Sequence, residues 1–542
     1  MNKVKMKNMF KTRLIVSLML PLVILGLFSL ATNVRAATSV TKDSITWTFD
    51  GDYVVGQFIS GDWYVVAPGG LQVTGISATG GEVLLGTMKN PTTGADQGYD
   101  TDIPEYDSAL NVGLNLPLSL IVGDMIISTT DYQGSDEHLR IEQAAILTVL
   151  SSAPLAGSFR PGYCDTDRTI FNASDIDYGL LASLTPTAST PSLSVVADLV
   201  ARPWIDHIGG WTGRYVHPNF NMDDYGREIA NDVGTVALVA NLNYSQVEKA
   251  PIVNGLTQIG IDFYSIVKAG GEWSANGGHA TGRKLPILFA GTLLNDIDMK
   301  SIGQKSGDYA LEGSFGNPPA DYINFGEDDQ TFYVTQDDVD CSHNVGCAWD
   351  PDDRGGTPTP YTSEMIGMPE WGIRHVYQPF RDNSLWTATY RRSSNGGAWV
   401  GFVLAAHIME LKGLWNHDVL FDYYDRYVPI SRGEVDPFGY TVPGEEAGSG
   451  PGAFFGEMWD TYRDNYGTVI RADVDQNSTI NTADAMLTLK NSLGLDMSGT
   501  SWQSSATTGD VDCNGSPNST DAMLILRYSL GLSMNGTEWC IN

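Results

Sequence analysis

The first part of the chain alternates apolar and polar residues. In "SITWTFDGDYVVGQFISGDWYVV", Ile45, Trp47 and Phe49 alternate with serine and threonine, which is the period of a strand with one buried face. Turn segments such as "DGD", "SGD" and "PGG" separate the runs, and "LSLIVGDMIIST" and "IEQAAILTVLSSAP" add later strands. The pattern predicts a β-sandwich domain over residues 37–158.

Beyond residue 190 the apolar residues are spaced by three or four positions, which indicates helices. The segments are apolar around much of their circumference and contain small residues, so we expect neighbours to bury them on several sides. Buried helix hairpins joined by long loops build an (α/α) toroid, and we predict a mainly helical domain of that type over residues 159–466. The predicted helices span residues 227–243, 246–270, 284–296 and 395–414.

An acidic dodecapeptide occurs twice near the C-terminus, as "DVDQNSTINTAD" at residues 473–484 and "DVDCNGSPNSTD" at residues 510–521. Both copies place oxygen-bearing side chains at positions 1, 3, 5, 9 and 12. This is the ligand spacing of an EF-hand loop, in which position 7 contributes its backbone carbonyl. A solvated acidic turn could explain one copy, but two copies favour two calcium ions. The predicted ligands are Asp473, Asp475, Asn477, Thr479, Asn481, Asp484, Asp510, Asp512, Asn514, Ser516, Asn518 and Asp521.

A repeated helix follows each acidic loop. "AMLTLKNSLGL" and "AMLILRYSLGL" have apolar residues at helical spacing, and Gly494 and Gly531 stand where a helix would end. The tails "MSGTSW" and "MNGTEW" repeat as well. A complete EF-hand has a second helix before its loop, and neither copy has a segment suited to form one. The repeating unit is therefore a loop, a helix and a tail.

Residues 467–542 resemble a type I dockerin, the calcium-binding module that docks bacterial enzymes onto cohesin domains. The duplicated loop and helix carry the resemblance, together with aspartate rather than glutamate at position 12. The resemblance implies a small helical domain with two calcium ions and a cohesin partner, whereas a self-contained calcium-stabilised tail is the alternative. Cys513 at loop position 4 and Pro517 at position 8 depart from the pattern without removing a side-chain ligand. The residues that match the family's cohesin contacts are Thr482, Ala483, Lys490, Ser519, Thr520 and Arg527.

The N-terminus combines basic residues with an apolar run at residues 14–30, followed by the small residues of "VRAA". This order is typical of a secretory signal peptide, and we predict cleavage after Ala36. A retained anchor is the alternative, but Pro21 interrupts a run that is short for a membrane span. We therefore expect residues 1–36 to be removed and the mature protein to be exported and soluble.

The chain is strongly acidic. Its formal charge of −32 becomes −38 without residues 1–36, because six basic and no acidic residues are lost. An acidic exterior argues against a nucleic-acid partner, which requires a basic face to displace counterions. It argues less strongly against polyanionic glycans, because salt screens repulsion within roughly 10 Å.

Five cysteines fit an oxidising compartment. Cys341 and Cys347 lie in one short segment, "CSHNVGC", and are predicted to pair. Cys513 and Cys540 could join the second acidic loop to the C-terminus, which leaves Cys164 unpaired and, we expect, buried. Zinc binding is the rival use of these cysteines, but the chain contains no C-x-x-C motif.

Four predicted loops concentrate polar, titratable and aromatic residues. They are loop 1 (residues 211–228), loop 2 (270–284), loop 3 (323–333) and loop 4 (363–379). The aromatic and basic residues that we expect to bind a substrate lie in or near these loops. They are Trp273, Arg283, Trp371, Arg374, His375 and Tyr390.

Glycoside hydrolysis requires one protonated carboxyl group and one ionised carboxyl group. Glu272 follows a predicted helix and precedes Trp273, so an indole could desolvate this carboxyl group and raise its pKa. We predict Glu272 as the acid and Asp224 as its partner. We expect loops 1 and 2 to meet, with His279 facing the same cleft as the two carboxyl groups.

β-Elimination on a uronate glycan is the rival reaction. It requires a group that neutralises the sugar carboxylate and a tyrosine or histidine base. A non-catalytic carbohydrate-binding scaffold would also explain the abundance of tryptophan and tyrosine. The residues that could serve a lyase are His279, Arg283, Arg374, His375, Tyr390 and Asn395.

The overall organisation resembles that of carbohydrate-active enzymes, although no signature of one particular family is present. We predict a secreted polysaccharide-degrading enzyme that a dockerin attaches to a cohesin-bearing scaffold protein. Hydrolysis of O-glycosyl bonds is favoured over elimination, because the mature protein is acidic and because hydrolases prevail among proteins that resemble dockerin bearers.

Overall fold

The computed structural model describes residues 35–134, 140–307, 321–342, 361–372, 390–439 and 450–466, and most of the C-terminal repeat (472–475, 480–497, 500, 502, 509–512, 516–534, 536–537 and 539). Several predictions fall outside these residues. They concern residues 1–34 of the signal peptide, Asn477, Thr479 and Asn514 of the calcium loops, Arg374, His375, the side chain of Tyr390, and the two proposed cysteine pairs.

Eight strands form a mixed sheet in the N-terminal part of the chain. The strand order is β5-β7-β8-β3-β2-β4-β6, with β1 also paired to β2; β3 and β8 are parallel. The prediction of a β-rich N-terminal region is thus confirmed. The strands are β1 (Arg35–Lys42), β2 (Ile45–Gln57), β3 (Trp63–Val66), β4 (Leu71–Ala78), β5 (Leu84–Lys89), β6 (Leu118–Leu120), β7 (Met125–Asp131) and β8 (Ile141–Leu150).

The sheet curls over on itself instead of forming the two separate sheets of the predicted sandwich. The cause is β2, because its first half pairs with β4 and its second half pairs with β3. Trp47 of β2 donates from Nε1 to Ser128 Oγ of β7 at 3.0 Å, although the two strands are not neighbours in the sheet. Val55, Ile126 and Leu147 lie in the apolar core that the curled sheet encloses.

The middle of the chain is helical, as predicted. In the residues that the structure describes, no helix has both the length and the apolar character that crossing a bilayer requires. The helices are α1 (Leu193–Leu199), α2 (Gly213–Val216), α3 (Gly226–Ala240), α4 (Gln246–Lys268), α5 (Lys284–Leu293), α6 (Ile297–Lys300), α7 (Gly326–Gln330), α8 (Gln336–Ser342), α9 (Gly396–Ile408), α10 (Lys412–Trp415), α11 (Asp418–Ser431) and α12 (Ala453–Tyr462). A short two-stranded sheet, β9 (Thr331–Tyr333) and β10 (Pro369–Trp371), lies among them.

Local sequence explains how these helices start and pack. Ser245 and Glu248 form a capping box at the start of α4, which satisfies two backbone N–H groups that would otherwise lack partners. Helices α3 and α9 approach closely at Gly234, where an added Cβ would lie 2.8 Å from the Phe402 nitrogen. The finer prediction, an (α/α) toroid, stays a prediction.

The sheet and the helices share one hydrophobic core. Met125, Ile127 and Ile146 turn their side chains away from the curled interior and join the core formed by α3, α4, α5 and α9. Cys164 is buried and unpaired, as expected from its lack of a partner in the sequence. The sheet is therefore positioned directly by the helical region.

A buried ion cluster links the two regions. Arg160 donates to Asp62, in the sheet region, at 2.9 Å, and to both carboxylate oxygens of Asp262, in α4, at 2.9 and 2.7 Å. All three side chains are fully buried. The guanidinium group compensates two carboxylates that would be costly to bury without a cation.

We predict that Arg160→Ala lowers the free energy of unfolding by about 3 to 5 kcal/mol, because two buried carboxylates lose their partner. Urea unfolding followed by circular dichroism measures the change. Arg202→Ala is the matched control, since Arg202 forms a partly exposed pair with Asp43 and should cost at most about 1 kcal/mol. Equal losses in the two variants would contradict a structural role for the buried cluster.

Candidate functional site

Loops 1 and 2 meet, as predicted. His279 Nε2 of loop 2 lies 2.9 Å from the carbonyl oxygen of Gly210, immediately before loop 1. The backbone N–H of Gly278 donates to the Tyr225 hydroxyl of loop 1 at 3.2 Å. A Cβ at Gly226 would lie 2.2 Å from the His279 carbonyl oxygen, so glycine is required where the loops cross.

Loops 3 and 4 join the same place. Asp329 of loop 3 accepts from the backbone N–H of Ala275 at 2.9 Å, and Gln330 donates to the Gly277 carbonyl at 2.6 Å. Trp371 of loop 4 donates from Nε1 to Gln330 at 3.1 Å. The four loops therefore converge around residues 275–279, which we call the loop junction.

The buried carboxylate of Asp206 links loop 1 to loop 2. It accepts from Trp273 Nε1 and from Arg283 Nε at 2.9 Å each, and lies 2.7 Å from His217 Nε2. Burial by itself would raise the pKa of Asp206, but Arg283 and His217 hold it below its ordinary value. Trp273 and Arg283 thus point into the protein, where they position the loops.

His279 is an interior, neutral histidine at the junction. Burial, with a further contribution from Arg283, lowers its pKa to about 3. Its ring lies 5.5 Å from the ring of Trp211, which is 47% exposed. The His279 ring therefore packs against the partly exposed Trp211 ring of loop 1.

Arg214 links the Trp211 ring to a group of carboxyl side chains. Asp224 pairs with Arg214 at 2.5 Å, and the Arg214 guanidinium lies 4.5 Å from the Trp211 ring centroid. Asp223 hydrogen-bonds to Asp232 of α3. Asp223, Asp224 and Asp232, together with Trp211, define what we call the acidic surface.

Asp232 keeps a proton at neutral pH. Burial raises its pKa to about 8, and the neighbouring Asp223 and Glu228 contribute to the rise. The pKa of Asp223 is raised as well, by burial and then by Glu228 and Asp224. Protonated Asp232 can therefore donate to Asp223.

Sequence reasoning missed Asp232. A signal was present, because Glu228 and Asp232 are four positions apart in one helix, and like charges at that spacing destabilise a helix unless something compensates them. The pair follows directly on Asp223 and Asp224. Four carboxylates on one helical turn and its preceding loop were a reason to expect a shared proton.

Glu272 lines a cavity whose lining does not include Asp224. Its carboxylate is exposed and accepts from the Asn324 side chain at 2.7 Å and from the Ser274 hydroxyl at 3.0 Å. The Trp273 indole turns inward to Asp206, so it does not desolvate Glu272 as we expected. Glu272 lines a cavity of about 420 Å³, and its role as an acid stays a prediction.

Loop 4 also turns its aromatic residue inward. Trp371 is 1% exposed. The neighbouring Glu370 carboxylate accepts from Arg391 at 2.8 Å, and both side chains are buried. Arg391 belongs to a π-helical turn, Tyr390–Asn395, that leads into α9, and such turns are frequent at functional sites.

The acidic repeat has the geometry of two calcium loops. Asp473, Asp475 and Asp484 place carboxylate oxygens within 4.8 Å of one another, and two of the three side chains are buried. The second copy does the same with Asp510, Asp512 and Asp521. Three carboxylates this close repel one another unless a cation compensates them, so the donor set fits calcium.

Hydrogen bonds orient the last carboxylate of each loop identically. Asp484 accepts from the backbone N–H groups of Val474 at 2.9 Å and Asn481 at 2.8 Å. Asp521 accepts from those of Val511 and Asn518 at 2.8 Å each. The position-9 asparagines cap the helices that follow; a position-9 ligand often acts through water.

The repeat's helices, α13 (Thr482–Ser492) and α14 (Ser519–Ser529), enclose a small core of their own that includes Ala485, Leu524 and Ile525. Each helix leaves apolar side chains exposed, for example Met486 and Met523 at 70% and 72%. All of the predicted cohesin contacts are exposed except Lys490, which is half-buried. They are Thr482, Ala483, Lys490, Ser519, Thr520 and Arg527.

Comparison with known proteins identifies this repeat. The family model described as "Dockerin type I domain" matches residues 471–530. No curated protein and no solved structure matches the chain. The C-terminal region is therefore a type I dockerin domain, which binds calcium and attaches its carrier to the cohesin domain of a scaffold protein.

We predict that the chelator-treated protein binds two calcium ions, since the two carboxylate clusters are equivalent. Isothermal titration calorimetry on the whole chain gives the stoichiometry. Asp484→Ala and Asp521→Ala should each leave one ion bound, and the double variant none. Asp198→Ala, at an exposed position of α1, is the control. Two ions bound by the double variant would show that the loops do not hold them.

Asp232→Asn should change how stability depends on pH. The pKa of Asp232 in the folded protein, about 8, exceeds the pKa of an unfolded aspartate. The contribution of protonated Asp232 to the stability of the folded state is therefore complete below the unfolded pKa and is lost as pH rises through the folded pKa. The variant has no proton to lose. In urea unfolding the variant should gain stability relative to the wild type as pH rises from about 4, the pKa of an unfolded aspartate, to about 8. A constant difference across this range would contradict the shared proton; Asp198→Asn is the control.

Proposed function

Since a type I dockerin domain ends this chain, we propose that the preceding residues form a polysaccharide-degrading enzyme that hydrolyses O-glycosyl bonds in a neutral glycan. The observation that carries the proposal is the acidic surface. Asp232, whose pKa is raised to about 8, hydrogen-bonds to Asp223, and Arg214 links Asp224 to the exposed ring of Trp211. Aromatic rings of this kind stack against sugar rings. Glycoside hydrolysis requires one protonated and one ionised carboxyl group.

In the proposed mechanism, Asp232 is the general acid. It gives its proton to the glycosidic oxygen as the bond to the anomeric carbon breaks. Asp224, which its ion pair with Arg214 orients, takes a proton from the water that adds to the anomeric carbon. Asp223 holds the Asp232 proton in place before reaction through their hydrogen bond.

The pairing of the arginines supports a neutral substrate. Among the described residues at the junction, Arg214 is paired with Asp224, Arg227 with Glu228 and Arg283 with Asp206. A uronate carboxylate would have to displace one of these partners. The acidic surface would also repel it, whereas a neutral glycan meets no such cost.

Elimination remains the second candidate reaction, with a narrower set of residues. Of the residues assigned to it from the sequence, His279 and Arg283 are buried and hydrogen-bonded within the protein, and Asn395 is buried as well. Arg374, His375 and the side chain of Tyr390 lie outside the described residues. The proposed hydrolysis and this elimination differ in product, so one assay separates them.

We expect the protein to release reducing ends from at least one neutral polysaccharide without the ultraviolet absorbance of an unsaturated uronate. Asp232→Asn should lower the rate by a factor of about 10² to 10⁴, the usual effect of removing a general acid. Activity should fall above about pH 8, where Asp232 loses its proton. Xylan, glucan, mannan and polygalacturonate are suitable substrates.

Each alternative has its own outcome in the same assay. A rise in ultraviolet absorbance on polygalacturonate would establish elimination. If cleavage is retained in Asp232→Asn but abolished in Glu272→Gln, then Glu272 rather than Asp232 is the general acid. Asp198→Asn controls for a general effect of losing one carboxylate. No cleavage of any polysaccharide would favour a non-catalytic binding protein.

A further inference from the structure

A groove on the side of the helical region lies apart from the acidic surface. It consists of two cavities, of about 420 and 140 Å³, and both are lined by Tyr264, Lys268 and Asp298. The larger cavity also reaches Glu272 and Tyr322. Its volume is within the range of small-ligand sites, and nothing in the proposed hydrolysis uses it.

The groove contains a fixed donor. Lys268 Nζ is held by Asp165 and Asp167, at 2.6 and 2.7 Å, and lies 5.2 Å from the Tyr264 ring centroid. These two partners leave a further N–H of the ammonium group for a ligand. Because the amino group is already held, a ligand would not have to order it.

The groove also contains a fixed acceptor. Glu272 is exposed, yet Asn324 and Ser274 hold its carboxylate at 2.7 and 3.0 Å. A carboxylate has more acceptor positions than these donors occupy. Tyr264 and Val267 contribute aromatic and apolar surface to the lining, which also contains the charged residues Asp298, Lys305 and Asp321.

We propose that this groove is a second glycan-binding site that holds one neutral sugar chain away from the bond being cleaved. A sugar ring has an apolar face and a rim of hydroxyl groups that both donate and accept. The groove offers a tyrosine ring, a held ammonium group and a held carboxylate. The class of ligand rests on the proposed function, whereas the existence of the site rests on the groove alone.

The test measures binding in the Asp232→Asn background of the whole chain, so that no sugar is cleaved. Isothermal titration calorimetry measures the binding of three probes, xylohexaose, cellohexaose and mannohexaose. We expect one of them to bind. Glu272→Gln should weaken binding by about tenfold, as the loss of one hydrogen bond to a charged group does, and Tyr264→Ala should weaken it because the aromatic contact is lost. An oligogalacturonate of the same length should bind more weakly than the neutral probe.

Two matched controls separate the groove from general effects. Tyr244 packs half-buried against the same core as Tyr264, and Glu434 is an exposed glutamate. Tyr244→Ala and Glu434→Gln should leave the affinity unchanged. Glu272→Gln keeps the shape of the side chain, so it tests the groove even if Tyr264→Ala is poorly folded.

Unchanged affinity in both groove variants would overturn the proposal, as would the absence of binding to every neutral probe. Its failure is distinguishable from failure of the proposed hydrolysis. If the wild type cleaves a glycan and the groove variants bind with unchanged affinity, only the proposed glycan-binding role of the groove is ruled out. Groove-dependent binding without cleavage of any glycan would remove the hydrolysis alone.

Discussion

The loop junction depends on one buried carboxylate. Asp206 binds the His217 ring of loop 1 and both Trp273 and Arg283 of loop 2. An unpaired carboxylate in such an interior costs several kcal/mol, so the two loops cannot separate without leaving this charge uncompensated. The position of Trp211 and the carboxyl groups of loop 1 follows from that constraint, because the same contacts fix the base of the loop.

Charges inside the protein and charges at its acidic surface are stabilised in different ways. In the interior, arginines pair with several buried carboxylates, as Arg160 does with Asp262 and Arg391 with Glu370. At the acidic surface Asp232 and Asp223 face each other without a cation between them, and a proton takes its place. Interior ion pairs hold the loops in position, whereas a carboxyl group that retains a proton near neutral pH is available for proton transfer.

Local patterns predicted the parts of this molecule that depend on sequence spacing. The alternation around Trp47, the helical periodicity and the ligand spacing of the dockerin are properties of neighbouring residues, and the β-rich, helical and dockerin regions are all confirmed. That loops 1 and 2 meet was predicted correctly too. The direction in which Trp273 points was not, because an indole between two loops turns toward whichever buried acceptor the fold supplies. Asp206, that acceptor, is more than sixty residues away in the chain, so no local pattern could reveal it.

In the calcium loops and at the acidic surface, a cation compensates carboxyl groups that lie close together. The cation is a calcium ion in the loops and a proton at the acidic surface. Each dockerin loop brings three carboxylates within 4.8 Å, and one proton could neutralise only one of them, so a divalent ion with several oxygen ligands is the better compensation. Asp223 and Asp232 form a direct hydrogen bond, which one proton completes. A cation held by three carboxylates stays in place and stabilises a fold. A proton shared by two can leave and return, which is what the chemistry of a glycosidic bond demands.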